Sequence, residues 1–215
     1  MSASDPALAS RLDAGLRELD LDLSPEAREQ LLVYLEQLHK WNQAYNLSGI
    51  RELTAMLDLH LLDSLALAPY IDASPVADVG TGAGLPGIPL AICYPEREFR
   101  LIDSNSKKTR FIFQTAALLG LRNVEVVHGR AEHYESKSQV AIVTSRAFAS
   151  LRDFVERCDH MLIQDGKFLA MKGLVPEAEI ADLPAQYTVA AIHPLTLPGS
   201  THVRHVLDIR RAPRD

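Results

Sequence analysis

The chain has 215 residues, 22 of them Lys or Arg and 28 Asp or Glu; the net charge of −6 excludes general electrostatic attraction to nucleic acid or anionic lipid. Hydrophobic residues are 47% and charged residues 23%, which excludes a disordered or fibrous protein and allows one substantial core. Two cysteines, Cys93 and Cys158, lack His or Cys neighbours at ligand spacing, which excludes a zinc site and a disulfide framework.

The N-terminal stretch "MSASDPALASRLDAGL" contains Asp5 and Asp13 and no continuous apolar run. It is therefore neither a secretory signal nor a transit peptide, and a cytoplasmic protein without a membrane span is expected. The first seventy or so residues read as helix. One segment covers "PALASRLDAGLREL". A second opens at Ser24-Pro25, where Leu31, Leu32, Leu35, Leu38 and Trp41 recur at helical spacing. A third runs through "RELTAMLDLHLLDSLALAPY" to Pro69.

From Val76 onward, short β-branched runs ("PVADV", "FRLID", "VEVVH", "VAIVTS", "KFLAMK") alternate with helical stretches, the pattern of an open parallel sheet. "SKKTRFIFQTAALLG" is a crossover helix ending at Gly120, and "LRDFVERCDHML" is another. "DGKFLAMK" reads as a turn followed by a strand. "YTVAAIHPL" and "HVRHVLDIRR", flanking "TLPGS", form a terminal hairpin. The change near Ser74-Pro75 divides a helical extension, residues 1–74, from a sheet domain, residues 75–215.

"DVGTGAGLPGIPLAI", Asp78 to Ile92, ends a strand and opens a helix with glycines at 80, 82, 84 and 87. Such a turn presents unhindered backbone N–H groups at a positive helix terminus and holds a nucleotide-like ligand. Two frames fit it. Gly82, Gly84 and Gly87 match the dinucleotide fingerprint of a nicotinamide-dependent oxidoreductase. Asp78, Gly80, Gly82 and Gly84 match the D-x-G-x-G-x-G turn of S-adenosylmethionine-dependent methyltransferases. Pro86 and Pro89 interrupt the helix that the first frame needs, no tyrosine-lysine pair for hydride transfer is evident, and the late hairpin resembles a seven-stranded methyltransferase sheet. The second frame is preferred.

Several residues around this turn carry expectations of their own. Asp78 either anchors the loop's N–H groups or holds the cofactor ammonium through water. Asp103, ending "FRLID", can accept two ribose hydroxyls. Arg146, at a strand end facing the crevice, could hold a carboxylate or approach the methyl acceptor. His60 and Asp63 share a helical face and are expected to hydrogen-bond; Asn42 and Asn46 are expected to tie the extension to the sheet domain. No metal set is visible. Phosphate contacts are sought among Lys107, Lys108 and Arg110, the densest basic cluster, among Arg204, Arg210, Arg211 and Arg214, and at Arg130 and Lys172 nearer the crevice. Trp41, Phe111 and Phe148 could stack a base, although core packing is the preferred reading of each.

The glycine turn, "KK" at 107–108 with Phe111, "GRAE" at 129–132, "SRA" at 145–147, "MKG" at 171–173, "LPG" at 197–199, "WNQAYNL" at 41–47 and "HLLDSL" at 60–65 together resemble the RsmG family, also called glucose-inhibited division protein B. The resemblance covers about residues 40 to 205. It implies a class I S-adenosylmethionine-dependent methyltransferase, an α/β Rossmann-like fold with a mostly parallel seven-stranded sheet and an N-terminal helical extension. It also implies transfer of a methyl group to N7 of a guanine in 16S ribosomal RNA, within a small-subunit particle. Carried over by position, Gly80, Gly82, Leu85, Asp103, Ala131, Glu132 and Arg146 are cofactor-binding residues, with Ala131 and Glu132 on the adenine side. Guanine N7 carries a lone pair and no proton, so no catalytic acid or base is assigned. A ribosome-assembly binder without catalysis is the remaining alternative, and the complete cofactor turn argues against it.

Overall fold

The computed structural model of the chain describes residues 5–135, 138–146, 148–200 and 202–213. Its first two helices start where a capping side chain precedes a proline. Asp5 accepts from the Ala7 N–H at 2.9 Å ahead of α1 (Pro6–Glu18), and Ser24 accepts from the Ala27 N–H at 3.2 Å ahead of α2 (Pro25–Tyr45). Asn46, left-handed at φ 50°, ends α2. The single helix expected over 51–70 is instead composite. Glu52 caps α3 (Leu53–Met56), which passes through a π-helical turn at Leu57–Leu62 into α4 (Asp63–Leu65). Pro69 lies inside a 3-10 turn, Ala68–Tyr70, rather than at a stop.

Seven strands follow: β1 (Val76–Val79), β2 (Phe99–Asp103), β3 (Val124–His128), β4 (Val140–Ser145), β5 (Leu162–Lys172), β6 (Tyr187–Leu195) and β7 (Arg204–Arg211). Their order is β3-β2-β1-β4-β5-β7-β6; the first five run parallel, and β7 is antiparallel to both neighbours. The remaining helices are α5 (Gly87–Cys93), α6 (Ser106–Leu118), α7 (Leu151–Cys158) and α8 (Glu177–Ala181). This is the expected mostly parallel seven-stranded sheet with its terminal hairpin.

Two boundaries differ from the sequence reading. The helix expected to reach Leu162 stops at Cys158, and a 3-10 turn carries the chain into β5. Arg211 donates to the carbonyls of Asp159 at 2.9 Å and Ile163 at 2.8 Å, satisfying backbone acceptors beyond the helix end. Asp165 and Gly166 lie inside β5 at a shift in register, where Val140 pairs with Leu162 but Ile142 with Lys167. A Cβ on Gly166 would stand 2.7 Å from the Leu162 side chain and 2.8 Å from the Ala141 carbonyl, so the bulge requires glycine.

The sheet buries both faces. Leu31, Leu35, Leu38, Leu57, Ile88 and Phe111 belong to a cluster that packs α1–α6 against one face, so the helices before Ser74 share their core with the sheet. Ala77, Val143, Leu151, Phe154 and Phe168 fill the other face beneath α7. Among the described residues no helix is long and apolar enough to cross a membrane.

Candidate functional site

The adjacent carboxyl ends of β2, β1 and β4 gather their loops at one edge of the sheet, where ligands of open α/β sheets bind. The turn after β1 holds Gly80, Gly82 and Gly84 at φ +68°, +63° and +89°, a conformation costly for other residues. Asp78, fully buried, organises it. One of its carboxylate oxygens accepts the Thr81 hydroxyl at 2.6 Å and the Gly87 N–H at 2.8 Å, so both ends of the turn hang from a single atom. Its other oxygen is buried without a partner among the described residues. Burial pushes the Asp78 carboxyl up to about 6, although the Thr81 and Gly87 hydrogen bonds and the charge of Arg146 act the other way. Tyr34 of α2 secures the turn from the far side, donating its hydroxyl to the Ala83 carbonyl at 2.9 Å.

Asp103, at the end of β2, accepts the Gly82 N–H on one oxygen and the Asn105 N–H on the other, both at 2.8 Å. Each oxygen retains a lone pair for a ligand. Gly80, Asp103, Ala131 and Glu132 line one cleft, together with Phe148 and Arg157. The sequence thus names six of the cleft's lining residues, Gly80, Asp103, Ala131 and Glu132 for the cofactor, Arg130 for phosphate and Phe148 for stacking, and Gly82 reaches the cleft through Asp103. Leu85 and Arg146 do not line it. Leu85 lies in the core, 7% exposed. Phe148 packs on Phe154, with centroids 5.1 Å apart, while facing the cleft. Arg157 escapes sequence reasoning because only the docking of α7 brings it to Glu132, at 3.5 Å.

Arg146 donates to Asp63 at 2.9 Å and to the Ser64 hydroxyl at 3.4 Å. Asp63, its side chain 3% exposed, accepts Arg204 on its other oxygen at 3.0 Å. The expected His60–Asp63 hydrogen bond is therefore a misreading: two guanidiniums occupy the carboxylate, and His60 bonds Ser48 at 2.5 Å instead. Burial and the Arg146 charge push His60 down to about 4. The expectation for Asn42 and Asn46 is corrected too. Asn42 holds the Ser48 N–H and the Ile50 carbonyl, and Asn46 accepts from Arg51, so both fold the 46–51 loop back onto α2.

Most candidate phosphate contacts already have a carboxylate. Lys172 pairs with Glu179 at 2.8 Å, Arg130 with Glu132 at 3.8 Å, Arg210 with Asp208 at 2.9 Å and Arg211 with Asp159 at 2.8 Å. Arg214 lies outside the described residues. Lys107, Lys108 and Arg110 on α6 have no ion-pair partner among the described residues. Phe111 is fully buried and meets Trp41 edge-on with centroids 5.5 Å apart, so neither of these rings is a free platform. No group of three or more potential metal ligands is found among the described residues.

A family model described as "rRNA small subunit methyltransferase G" matches residues 27–207. The chain is 47% identical over 211 residues to a protein of Marinobacter nauticus named "Ribosomal RNA small subunit methyltransferase G", covering 98% of this chain and 99% of that one. It is 46% identical over 212 residues to a protein of Pseudomonas aeruginosa with the same name, again over 98% and 99%. Among solved structures, the mitomycin 7-O-methyltransferase MmcR superposes with a TM-score of 0.61 at 18% identity, covering 96% of this chain and 74% of the other. TrmN from Thermus thermophilus superposes with a TM-score of 0.60 at 18% identity, covering 80% and 53%. These two likenesses establish the fold.

Proposed function

The chain belongs to the rRNA small subunit methyltransferase G family, and from that premise we propose that it methylates N7 of a guanine in bacterial 16S ribosomal RNA, in the cytoplasm. It is an S-adenosylmethionine-dependent methyltransferase. The observation that carries the reading is the glycine turn suspended between Asp78 and Asp103. The residues present fit the cofactor. The left-handed glycines expose bare main chain, the second Asp78 oxygen is an acceptor without a donor, and Asp103 has lone pairs to spare for hydroxyls.

When bound, S-adenosylmethionine supplies an electrophilic methyl group on a sulfonium. Asp103 would take the ribose hydroxyls, while Ala131 leaves room for the adenine ring beside Glu132 and Phe148. Because guanine N7 attacks with a lone pair, the protein need not remove a proton. Its contribution is alignment, which converts a bimolecular encounter into a unimolecular step. Arg146, fixed by Asp63 beside the turn, would orient the donor's carboxylate or the base. Changing Arg146 to Ala is therefore expected to weaken cofactor binding or turnover at least about tenfold, the worth of one charge-assisted hydrogen bond. Calorimetric titration with S-adenosylmethionine, run beside a transfer assay, reads it; equal values for both proteins reject the role.

With a net charge of −6, the chain needs an RNA surface organised by a small-subunit particle rather than general attraction. Lys107 and Lys108 are the phosphate contacts proposed for it. Replacing both with Glu should lower affinity and make its log–log salt dependence shallower by roughly 1–2, with cofactor binding unchanged. An unaltered slope removes them from the RNA surface. The function itself is tested by incubating the protein with labelled cofactor and undermethylated small subunits and mapping the modified nucleotide. Label at an exocyclic or ribose position, or none at all, rejects it, and a parallel titration with NADH separates the dinucleotide reading.

A further inference from the structure

We propose that the outward face of α6 is a path for an unpaired RNA strand leading to the cofactor cleft, with Phe113 stacking one of its bases. The inference rests on the reading that RNA is the substrate. α6 begins immediately after Asp103 and Ser104, which line the cleft. Thr109, Phe111, Ile112, Thr115 and Ala116 form its buried side. Ser106, Arg110, Phe113 and Ala117, spaced by four, three and four, therefore make one stripe facing solvent. Phe113 is 67% exposed in the middle of that stripe, while Phe111, two residues earlier, is fully buried.

Charge identifies the occupant. The helix contains Lys107, Lys108 and Arg110 and no carboxylate, in a chain that carries 28 acidic residues. Lys107 and Lys108 sit in the first helical turn, where the helix dipole disfavours cations. Helix stability does not account for them. Arg146, Lys172, Arg204, Arg210 and Arg211 are neutralised by carboxylates of this chain, whereas the α6 cations are not, among the described residues. The Lys108 ammonium reaches to 3.9 Å from where a Cβ on Gly82 would stand, so the charge extends to the glycine turn. Side-chain cations beside an exposed ring are the recognition chemistry of single-stranded nucleic acid, in which phosphates meet Lys and Arg and an unstacked base lies on the aromatic face. A duplex offers no such base. At about 1.5 Å per residue, Phe113 lies roughly 10 Å beyond the helix start at Ser106, so the stacked base belongs to the strand flanking the target guanine and not to the guanine itself.

Undermethylated small subunits, the full chain and labelled S-adenosylmethionine provide the test. Phe113→Ala should raise the KM for the particle by about five- to tenfold, the effect of one lost base–aromatic stack, with kcat, cofactor affinity and melting temperature unchanged. Phe113→Trp should restore the wild-type KM. A photo-crosslinking phenylalanine analogue at position 113 should then link to 16S RNA. An unchanged KM in Phe113→Ala, a raised KM that Trp fails to restore, or crosslinks confined to ribosomal protein would each overturn the RNA path. Absence of methyl transfer by the wild-type chain would instead remove the functional reading on which the path rests.

Discussion

Substituting Asp63 by Ala is expected to lower the melting temperature by roughly 4–8 °C and to reproduce the cofactor-binding defect of Arg146→Ala. Removing one member of a fully buried ion pair costs about 3–5 kcal/mol, because the other charge is left without a partner or water. Here the two guanidiniums left behind are 25% and 32% exposed, so they can partly rehydrate. Discounting for that gives about 2 kcal/mol. For a chain of 215 residues, each kcal/mol corresponds to about 2–4 °C. The reverse substitutions are harsher in principle, because the Asp63 carboxylate, 3% exposed, cannot reach solvent when its cations are removed. Arg146→Ala combined with Arg204→Ala should therefore destabilise more than Asp63→Ala alone. Thermal unfolding of the two variants reads this ranking, and a double variant that melts above Asp63→Ala would refute it. The functional part follows from geometry. Without Asp63, only the 3.4 Å contact with the Ser64 hydroxyl holds Arg146 toward helix α4, and an arginine freer to choose rotamers orients a ligand less well.

That ion pair also shows where sequence reasoning stops. The strands, the crossover helices and the glycine turn are legible because their signals are local: short β-branched runs, capping residues, and glycines at positions needing positive φ. Asp103 is legible for the same reason, standing at the strand end beside the turn. In the sequence Asp63 is visible only as a neighbour of His60 on one helix, whereas its partners Arg146 and Arg204 lie 83 and 141 positions away, joined by sheet topology. The π-helical turn at Leu57–Leu62 carries no composition signal that separates it from an α-helix. Phe111 and Phe113 are chemically identical in the sequence, and only the seating of α6 on the sheet makes one core and the other surface. The bulge in β5 likewise depends on how β4 pairs with it, so Asp165-Gly166 reads locally as a turn.

Asp78→Asn should make the protein more stable at pH 8 and less active. A carboxyl of ordinary value 3.8 that titrates near 6 in the folded chain binds its proton more tightly there than when unfolded. Its stabilising contribution is complete below about pH 4 and disappears as pH rises through 6, leaving the ionised form about 3 kcal/mol less favourable at pH 8. Asparagine does not titrate, and its carbonyl can still accept from the Gly87 N–H, although it forgoes the extra strength of a charged acceptor. The expected net gain is on the order of 1–2 kcal/mol at pH 8, vanishing or reversing toward pH 4. His60 titrates in the opposite sense: its folded value near 4 lies below the usual 6.5, so its contribution is present above 6.5 and lost as pH falls. Both proteins share that trend, so the difference between them isolates Asp78. Urea unfolding of wild type and variant at pH 5 and pH 8 measures it. The cost of keeping a buried carboxylate ionised at neutral pH is then explained by the work of the turn: one oxygen holds both ends, and the partnerless oxygen offers a charge that an amide cannot. Transfer activity in Asp78→Asn should accordingly fall at least about tenfold. A variant as active as wild type, or one less stable at pH 8, would mean that the buried charge neither serves the turn nor strains it.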